Sequence, residues 1–389
     1  VTATTGGFGP EHLPYGVFRA AGQPARVGAR LGDGVLDLAG LAAEGLLEAD
    51  PALFDEPSLN AFMAAGPATW AAVRERLAQL ASAPDAEPRL LALDELELLL
   101  PFEVADYVDF SSSLEHATNA GRLLRPQDPP LVPNWLHLPV AYHGRAGTVV
   151  VSGTPVRRPR GQGLPAGADE PVYGPSDRLD IELELGFVIG RSSALGEPVP
   201  IERALDHVFG VVLLNDWSAR DLQAWESRPL GPFTGKSFAT SIAAWVTPLA
   251  ALEGRRLPNG EQRPAPPPYL REEPWGWDID VEIELDGTVV SRTNARHVYW
   301  SLAQQIAHAT VNGASLRVGD LLGTGAISGP EPGQRGTLLE LSWNGAEPIA
   351  LDGGATRAFL QDGDEVVLRG RAGTIELAEV RGRVEPAPA

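Results

Sequence analysis

Leu179-Asp180-Ile181-Glu182-Leu183-Glu184-Leu185-Gly186-Phe187-Val188-Ile189 interleaves acids with branched apolar residues and then turns almost wholly apolar. The alternation predicts a β-strand, whose side chains point to opposite faces with period two. Glu182 and Glu184 then share one face. Two like charges side by side in a half-buried strand repel each other and lose hydration. A solvated strand face is the ordinary setting for an isolated pair of this kind. A bound divalent cation with oxygen ligands is the alternative, because it compensates both effects. Two further acids favour it. Asp109 lies in Asp106-Tyr107-Val108-Asp109-Phe110, and Asp216 follows the apolar run Val211-Val212-Leu213-Leu214-Asn215. An acid at the end of a core strand is placed to line a site at the strand's mouth.

The chain of 389 residues is long enough for two domains or one large core. Its net charge of −20 argues against nucleic acid and anionic membrane as partners and suits a small-molecule or cation ligand. With no cysteine there is no disulfide, no thiolate nucleophile and no Cys-ligated zinc. No apolar run reaches the length of a membrane span, and the first residues lack a charged segment followed by an apolar one. A cytoplasmic location is the expectation.

Gly and Pro make up about a fifth of the chain, which implies many turns and short strands. Hairpins are predicted at Gly32-Asp33-Gly34, Asp286-Gly287 and Asn344-Gly345. Helices are predicted over 58–64 and 68–82, the second with Trp70, Val73, Leu77 and Leu80 on one face. Two more are predicted at Trp217–Glu226 and at Trp300–Val311, the latter stopping before Gly313. The stretch from Pro258 to Pro274 reads as a surface loop. The body is therefore mainly β, with hairpins and helices mixed up to about residue 100 and strands beyond it.

Polar clusters gather in the second part. Asp109-Phe110-Ser111-Ser112-Ser113-Leu114-Glu115-His116 follows an apolar stretch, and a lone His is a weak catalytic candidate without a partner. Asn215-Asp216-Trp217-Ser218-Ala219-Arg220-Asp221-Leu222-Gln223 passes from strand to helix. Arg220, Gln223 and Ser227 point roughly one way on that helix and can hold a carboxylate or a developing oxyanion. A capped helix start with a solvated Arg is the equal alternative. Gly235-Lys236-Ser237 lacks the upstream glycine of a phosphate loop.

Several runs are similar to the fumarylacetoacetate hydrolase family. They are Pro133-Asn134-Trp135-Leu136-His137-Leu138-Pro139, Tyr142-His143-Gly144-Arg145, Val149-Val150-Val151-Ser152-Gly153-Thr154-Pro155, Leu214-Asn215-Asp216-Trp217-Ser218-Ala219-Arg220-Asp221 and Ser328-Gly329-Pro330-Glu331. Phe8-Gly9-Pro10 and Leu13-Pro14-Tyr15-Gly16-Val17-Phe18 extend the likeness to the start. The resemblance implies an SH3-like barrel over 1–100, a mixed β-sandwich roll over 101–389, and a homodimer. It implies a divalent metal, calcium or magnesium, on Asp109, Glu182, Glu184 and Asp216, and a second cation beside Asp216, Lys236 and Thr240. It further implies His116 as general base oriented by Glu340. Arg220, Gln223 and Lys236 match positions that bind substrate or stabilise charge, and Arg125 and Tyr142 match further pocket positions. The implied reaction is hydrolysis of a C–C bond in a 1,3-dicarbonyl substrate.

The chain departs from the family at three substrate positions. Ser111 and Ser227 stand where the family has Tyr, and Ala326 stands where it has Thr. Arg122 adds a cation where the family is apolar. Drift or water filling the gaps is one explanation; a pocket remodelled for another substrate is the favoured one. Two other functions stay open: decarboxylation, isomerisation or dehydration through a metal-enolate, and a catalytically degenerate binding protein. Retention of the four acids, His116 and Glu340 weighs against the last.

Overall fold

The computed structural model describes residues 7–83, 90–165 and 167–389. The reading of the chain's first residues falls partly on 1–6, which lie outside the described residues.

The Leu183–Ile189 strand is the middle of the molecule. All seven of its residues are buried, so the expectation of a half-buried strand is corrected: both of its faces are covered. It pairs antiparallel with Val208–Asp216, itself wholly buried, in the register Leu183↔Asn215 and Leu185↔Leu213. On its other edge it pairs with Leu321–Gly323, which runs parallel to Tyr107–Phe110. Burying a Leu, Phe or Val side chain contributes roughly 1.5–3 kcal/mol, and these strands are dense in such residues.

A second, five-stranded sheet contains Asp280–Leu285, Thr288–Asn294, Glu365–Ala372, Ile375–Glu385 and Val156–Arg157. It packs over Val208–Asp216 at very close range. A Cβ on Gly382 would stand 2.5 Å from Trp217, so only glycine fits there. The N-terminal strands Tyr15–Ala20, Arg26–Leu31, Gly34–Asp37, Leu90–Ala92 and Leu96–Leu99 form an antiparallel meander that curls back. Its first strand meets both the second (Val17↔Val27) and the last (Val17↔Leu99). That first strand also pairs with Trp245–Pro248, which joins the barrel to the large sheet. The chain is thus mainly β, a small barrel followed by a β-sandwich roll.

The hairpins at Gly32-Asp33 and Asp286-Gly287 form as predicted, the latter with both residues at positive φ. The helices Asn60–Ala64 and Pro67–Ala81 also form, with Val73 and Leu77 buried. Leu302–Thr310 starts from a Ser301 capping box. Three expectations are corrected. The helix expected from Trp217 begins at Arg220, because Ser218 and Ala219 remain extended and pair with Leu179–Asp180. Ala219 stands at its start and gives it no side-chain bond. Asn344-Gly345 is no hairpin: the Asn344 N–H bonds to Leu339 O at 2.7 Å, closing the end of the helix Leu338–Leu341. The Pro-rich segment after Pro258 does link two paired strands, but it is partly interior, with Leu270 fully buried beside Trp135, Trp300 and Ala307. Among the described residues no helix is long and apolar enough to cross a membrane.

Candidate active site and metal centre

Strand register brings the acids together. Gly323 lies opposite Asp109, Glu184 opposite Leu214, and Asp216 opposite Thr240 at the strand's end. Glu182 sits in a break just before the central strand, held by an isolated bridge to Thr337. Asp109, Glu182, Glu184 and Asp216 each offer an oxygen, all within 4.8 Å of one another and all buried. Gly323 makes room for them. A Cβ there would come within 2.8 Å of Glu184 Oε2 and 3.0 Å of Asp109 Oδ1.

Such crowding is costly for ionised carboxylates. Burial first, then the neighbouring Asp216, pushes the Asp109 carboxyl up to about 8. Burial and Asp109 drive Glu184 well above the carboxylate range. Asp216 is raised by burial despite the Lys236 ammonium beside it. Glu182 behaves in the opposite way: burial works against its charge, but Lys236, Arg220 and His116 outweigh burial and hold it low. Asp109 Oδ1 and Glu184 Oε1 are buried without hydrogen-bond partners. Orphaned oxygens in an all-oxygen cluster fit a hard divalent cation, which restores the lost partners.

Lys236 and Thr240 both lie beside Asp216. Lys236 Nζ donates to Asp216 Oδ2 at 2.6 Å and contacts Glu182 Oε1 at 2.8 Å. An ammonium has no lone pair to give a metal, so this side chain is a neighbouring positive charge and not a ligand. Thr240 Oγ1 donates to Asp216 Oδ1 at 3.0 Å. Gly323→Ala is expected to force the Glu184 and Asp109 carboxylates apart and to lower divalent-metal affinity by roughly tenfold or more, a change of about 1.4 kcal/mol. Calorimetric titration of the variant checks this, and an unchanged affinity would show that the glycine is not needed for the cluster.

His116 and Glu340, far apart in sequence, meet in the fold. His116 Nδ1 donates to Glu340 Oε2 at 2.7 Å. Burial opposes a charge on the imidazole, but Glu340 outweighs burial and raises the His116 pKa above 6.5. Glu340 is fully buried and is held by Asn119 at 3.0 Å, Ser328 at 2.9 Å and Thr337 at 3.0 Å. Burial alone would push its pKa up, but His116 and these bonds bring it below the ordinary value.

Arg220 donates through Nε to Asp180 Oδ2 at 2.7 Å, and through Nη1 to Glu182 Oε1 at 2.8 Å and Gln223 Oε1 at 3.1 Å. Its Nη2 is buried and has no partner. Tyr142 Oη donates to Asp216 Oδ2 at 2.9 Å. A cavity of about 320 Å³ joins these groups, with Asp109, His116, Glu182, Arg220 and Lys236 on its polar side. Ser111, Tyr142, Gln223 and Ala326 also line it.

Ser227, Arg125 and Arg122 are not brought to that cavity. Ser227 ends the helix and its Oγ donates back to Gln223 O. Arg125 caps the helix Leu114–Leu124, with Nη2 reaching Pro130 O at 3.4 Å, and Arg122 is exposed on the same helix. The departures from the family are therefore less concentrated on the pocket than the sequence suggested.

Sequence reasoning passed over Asp180, Asn119, Ser328 and Thr337. Asp180 is fully buried and accepts from the Leu338 and Leu339 N–H groups as well as from Arg220. A signal for it was present, since Asp180 stands two before Glu182 in the alternating run. Asn119, one helical turn after His116, and the Thr337-x-x-Glu340 capping spacing were likewise readable.

A barrel-plus-roll fold with a His–Glu pair beside a buried acid cluster that could hold a metal ion fits a hydrolase class. Comparison with known proteins names it. The family model described as fumarylacetoacetase N-terminal matches residues 11–101, and that described as fumarylacetoacetate (FAA) hydrolase C-terminal matches 107–385. The fumarylacetoacetase of Homo sapiens is 46% identical over 404 residues, covering 98% of this chain and 96% of that protein. That of Arabidopsis thaliana is 44% identical over 408 residues, with the same coverages of 98% and 96%. Among solved structures, a fumarylacetoacetate hydrolase from Exiguobacterium antarcticum superposes with a TM-score of 0.58 at 18% identity, covering 96% of this chain and 99% of that one. A maleylpyruvate hydrolase from Sphingobium sp. SYK-6 gives 0.55 at 17%, covering 96% and 100%. The chain belongs to the fumarylacetoacetate hydrolase family and is a fumarylacetoacetase-like C–C bond hydrolase.

Proposed function

We propose that the enzyme hydrolyses the C–C bond of an acylpyruvate-like 1,3-dicarbonyl, and that its pocket is remodelled away from fumarylacetoacetate. The observation that carries the reaction is His116, bonded to the buried Glu340, lining the same cavity as Asp109, Glu182 and Arg220, whose Nη2 has no partner. Asp109, Glu182, Glu184 and Asp216 would hold a Mg²⁺ or Ca²⁺ ion, which when bound would supply positive charge for polarising a carbonyl.

The chain's own residues do the rest. With Nδ1–H fixed on Glu340, His116 keeps Nε2 as the basic nitrogen. It takes a proton from water as the oxygen attacks one carbonyl carbon. The resulting alkoxide is stabilised by Arg220 Nη2, and Gln223 and Lys236 add donors at the same wall. The C–C bond then breaks, its electron pair leaves as an enolate, and the His116 imidazolium returns a proton to that carbon. Water thus ends as the hydroxyl of one acid product and a hydrogen on the other product. Ser111 and Ala326, lining the cavity where the family has hydroxyl-bearing Tyr and Thr, support the remodelled pocket. The same reading makes the protein a cytoplasmic homodimer.

The test is turnover of the metal-loaded protein on acylpyruvates and β-diketones in ¹⁸O-water. One ¹⁸O in the acid product is expected, together with loss of turnover on chelation. A product formed without ¹⁸O would replace hydrolysis by decarboxylation or isomerisation.

A further inference from the structure

We infer that the arm of the substrate beyond its dicarbonyl is uncharged and apolar, in contrast to the carboxylate-bearing arm of fumarylacetoacetate. This rests on the hydrolase reading above and concerns the apolar lining of the same cavity. That lining comes from Ala120, Leu124, Val140, Leu230, Pro232 and Ala326. None of these carries a side-chain donor.

The cavity's cations are already paired with acids. Lys236 is held between Glu182 and Asp216. His116 is paired with Glu340. Arg220 bonds Asp180, Glu182 and Gln223 and keeps only Nη2 free. The donors left over are Arg220 Nη2, the third Lys236 N–H, the Gln223 amide N–H groups and the Ser111 O–H, whose oxygen accepts from Trp135 Nε1 at 3.4 Å, while Tyr142 Oη is bonded to Asp216. None of them belongs to the apolar lining. Arg125, the nearest cation in sequence on the Leu124 side, reaches Pro130 O and does not line the cavity. A carboxylate pressed against this wall would lose its hydration and gain no partner. An alkyl or aryl arm loses nothing there.

The mouth agrees with the wall. Leu230 lines the cavity yet is 96% exposed, an apolar side chain that a substrate arm would cover. Phe233, three residues further on, is also largely exposed and lines a neighbouring cavity that shares Tyr142, Pro232 and Lys236 with this one.

The experiment compares two acylpyruvates of equal arm length, one ending in methyl and one ending in carboxylate. The methyl-ended compound is expected to have a kcat/KM about 100-fold higher, within the range that pocket polarity sets between near-isosteric substrates. Leu230→Lys changes an exposed residue, so folding is not at stake. It is expected to cut that ratio about tenfold by improving the carboxylate-ended compound. Binding of both compounds to metal-loaded His116→Ala protein, read by calorimetry, reports arm preference without turnover. Failure of hydrolysis and failure of arm preference are therefore separate results. Equal binding, or tighter binding of the carboxylate-ended compound, would overturn the inference whatever the turnover shows.

Discussion

Replacing His116 with alanine is expected to lower kcat by roughly 10²–10⁴-fold, the usual contribution of a positioned general base. Affinity for Mg²⁺ or Ca²⁺ is expected to stay within a factor of a few, because His116 gives no ligand to the acid cluster. Single-turnover kinetics and calorimetric metal titration read the two effects separately. Full activity in the variant would remove His116 from the reaction. The pH profile has a sign that follows from the pair. His116 must be neutral to take a proton, and Glu340 outweighs burial to raise its pKa above 6.5. Activity should therefore rise with pH through a limb centred above 6.5. Glu340→Gln removes the charge responsible and should move that limb downward. Stability follows the same linkage. The raised His116 pKa contributes stability that is complete below the unfolded value near 6.5 and is lost as pH rises through the folded one. The lowered Glu340 pKa contributes stability present above about 4.5 and lost as pH falls through its folded value. The pair stabilises the fold most between those limits.

Much of this site follows from local rules, and the parts that do not are long-range. Period two placed Glu182 and Glu184 together, and their convergence with Asp109 and Asp216 needed strands whose register is set by core packing. The alternation could not reveal that Leu183–Ile189 is buried on both faces, since the covering sheet comes from residues about a hundred or more further on. Asp180 was passed over because an acid in a strand is ordinarily solvated, and only the fold brings Arg220 and the N–H groups of Leu338 and Leu339 to it. The helix start at Trp217 failed for a related reason. Ser218 and Ala219 satisfy their backbone in a bridge to Leu179–Asp180, a non-local pairing that outweighs local propensity. Ser227 matched a pocket position through the family resemblance, but its hydroxyl turns back onto its own helix.

Ser111→Tyr combined with Ala326→Thr is expected to raise kcat/KM on fumarylacetoacetate by about 10²–10⁴-fold over the unaltered protein. Both residues line the cavity. Ser111 is fixed by its N–H bond to Val140 O at 2.8 Å, so a longer side chain there extends into the open volume. Each added hydroxyl can bond a charged substrate group, worth roughly 1.5–3 kcal/mol. A gain of about 1.4 kcal/mol is tenfold in rate when it appears in the transition state. Ala326 is fully buried, and overpacking a closed core costs about 1–3 kcal/mol; the adjoining cavity offers space for the added atoms. Ser227→Tyr belongs to the same sequence comparison but starts outside the cavity, so its own effect should be small, within about threefold. Arg122 is exposed and needs no reversal. The measurement is kcat/KM on that one compound for the unaltered and doubly substituted proteins. An unaltered value already near 10⁴ M⁻¹s⁻¹, about the lower end for efficient enzymes, would mean that Ser111 and Ala326 do not exclude fumarylacetoacetate. The apolar wall of Leu124, Val140 and Pro232 would then tolerate its second carboxylate.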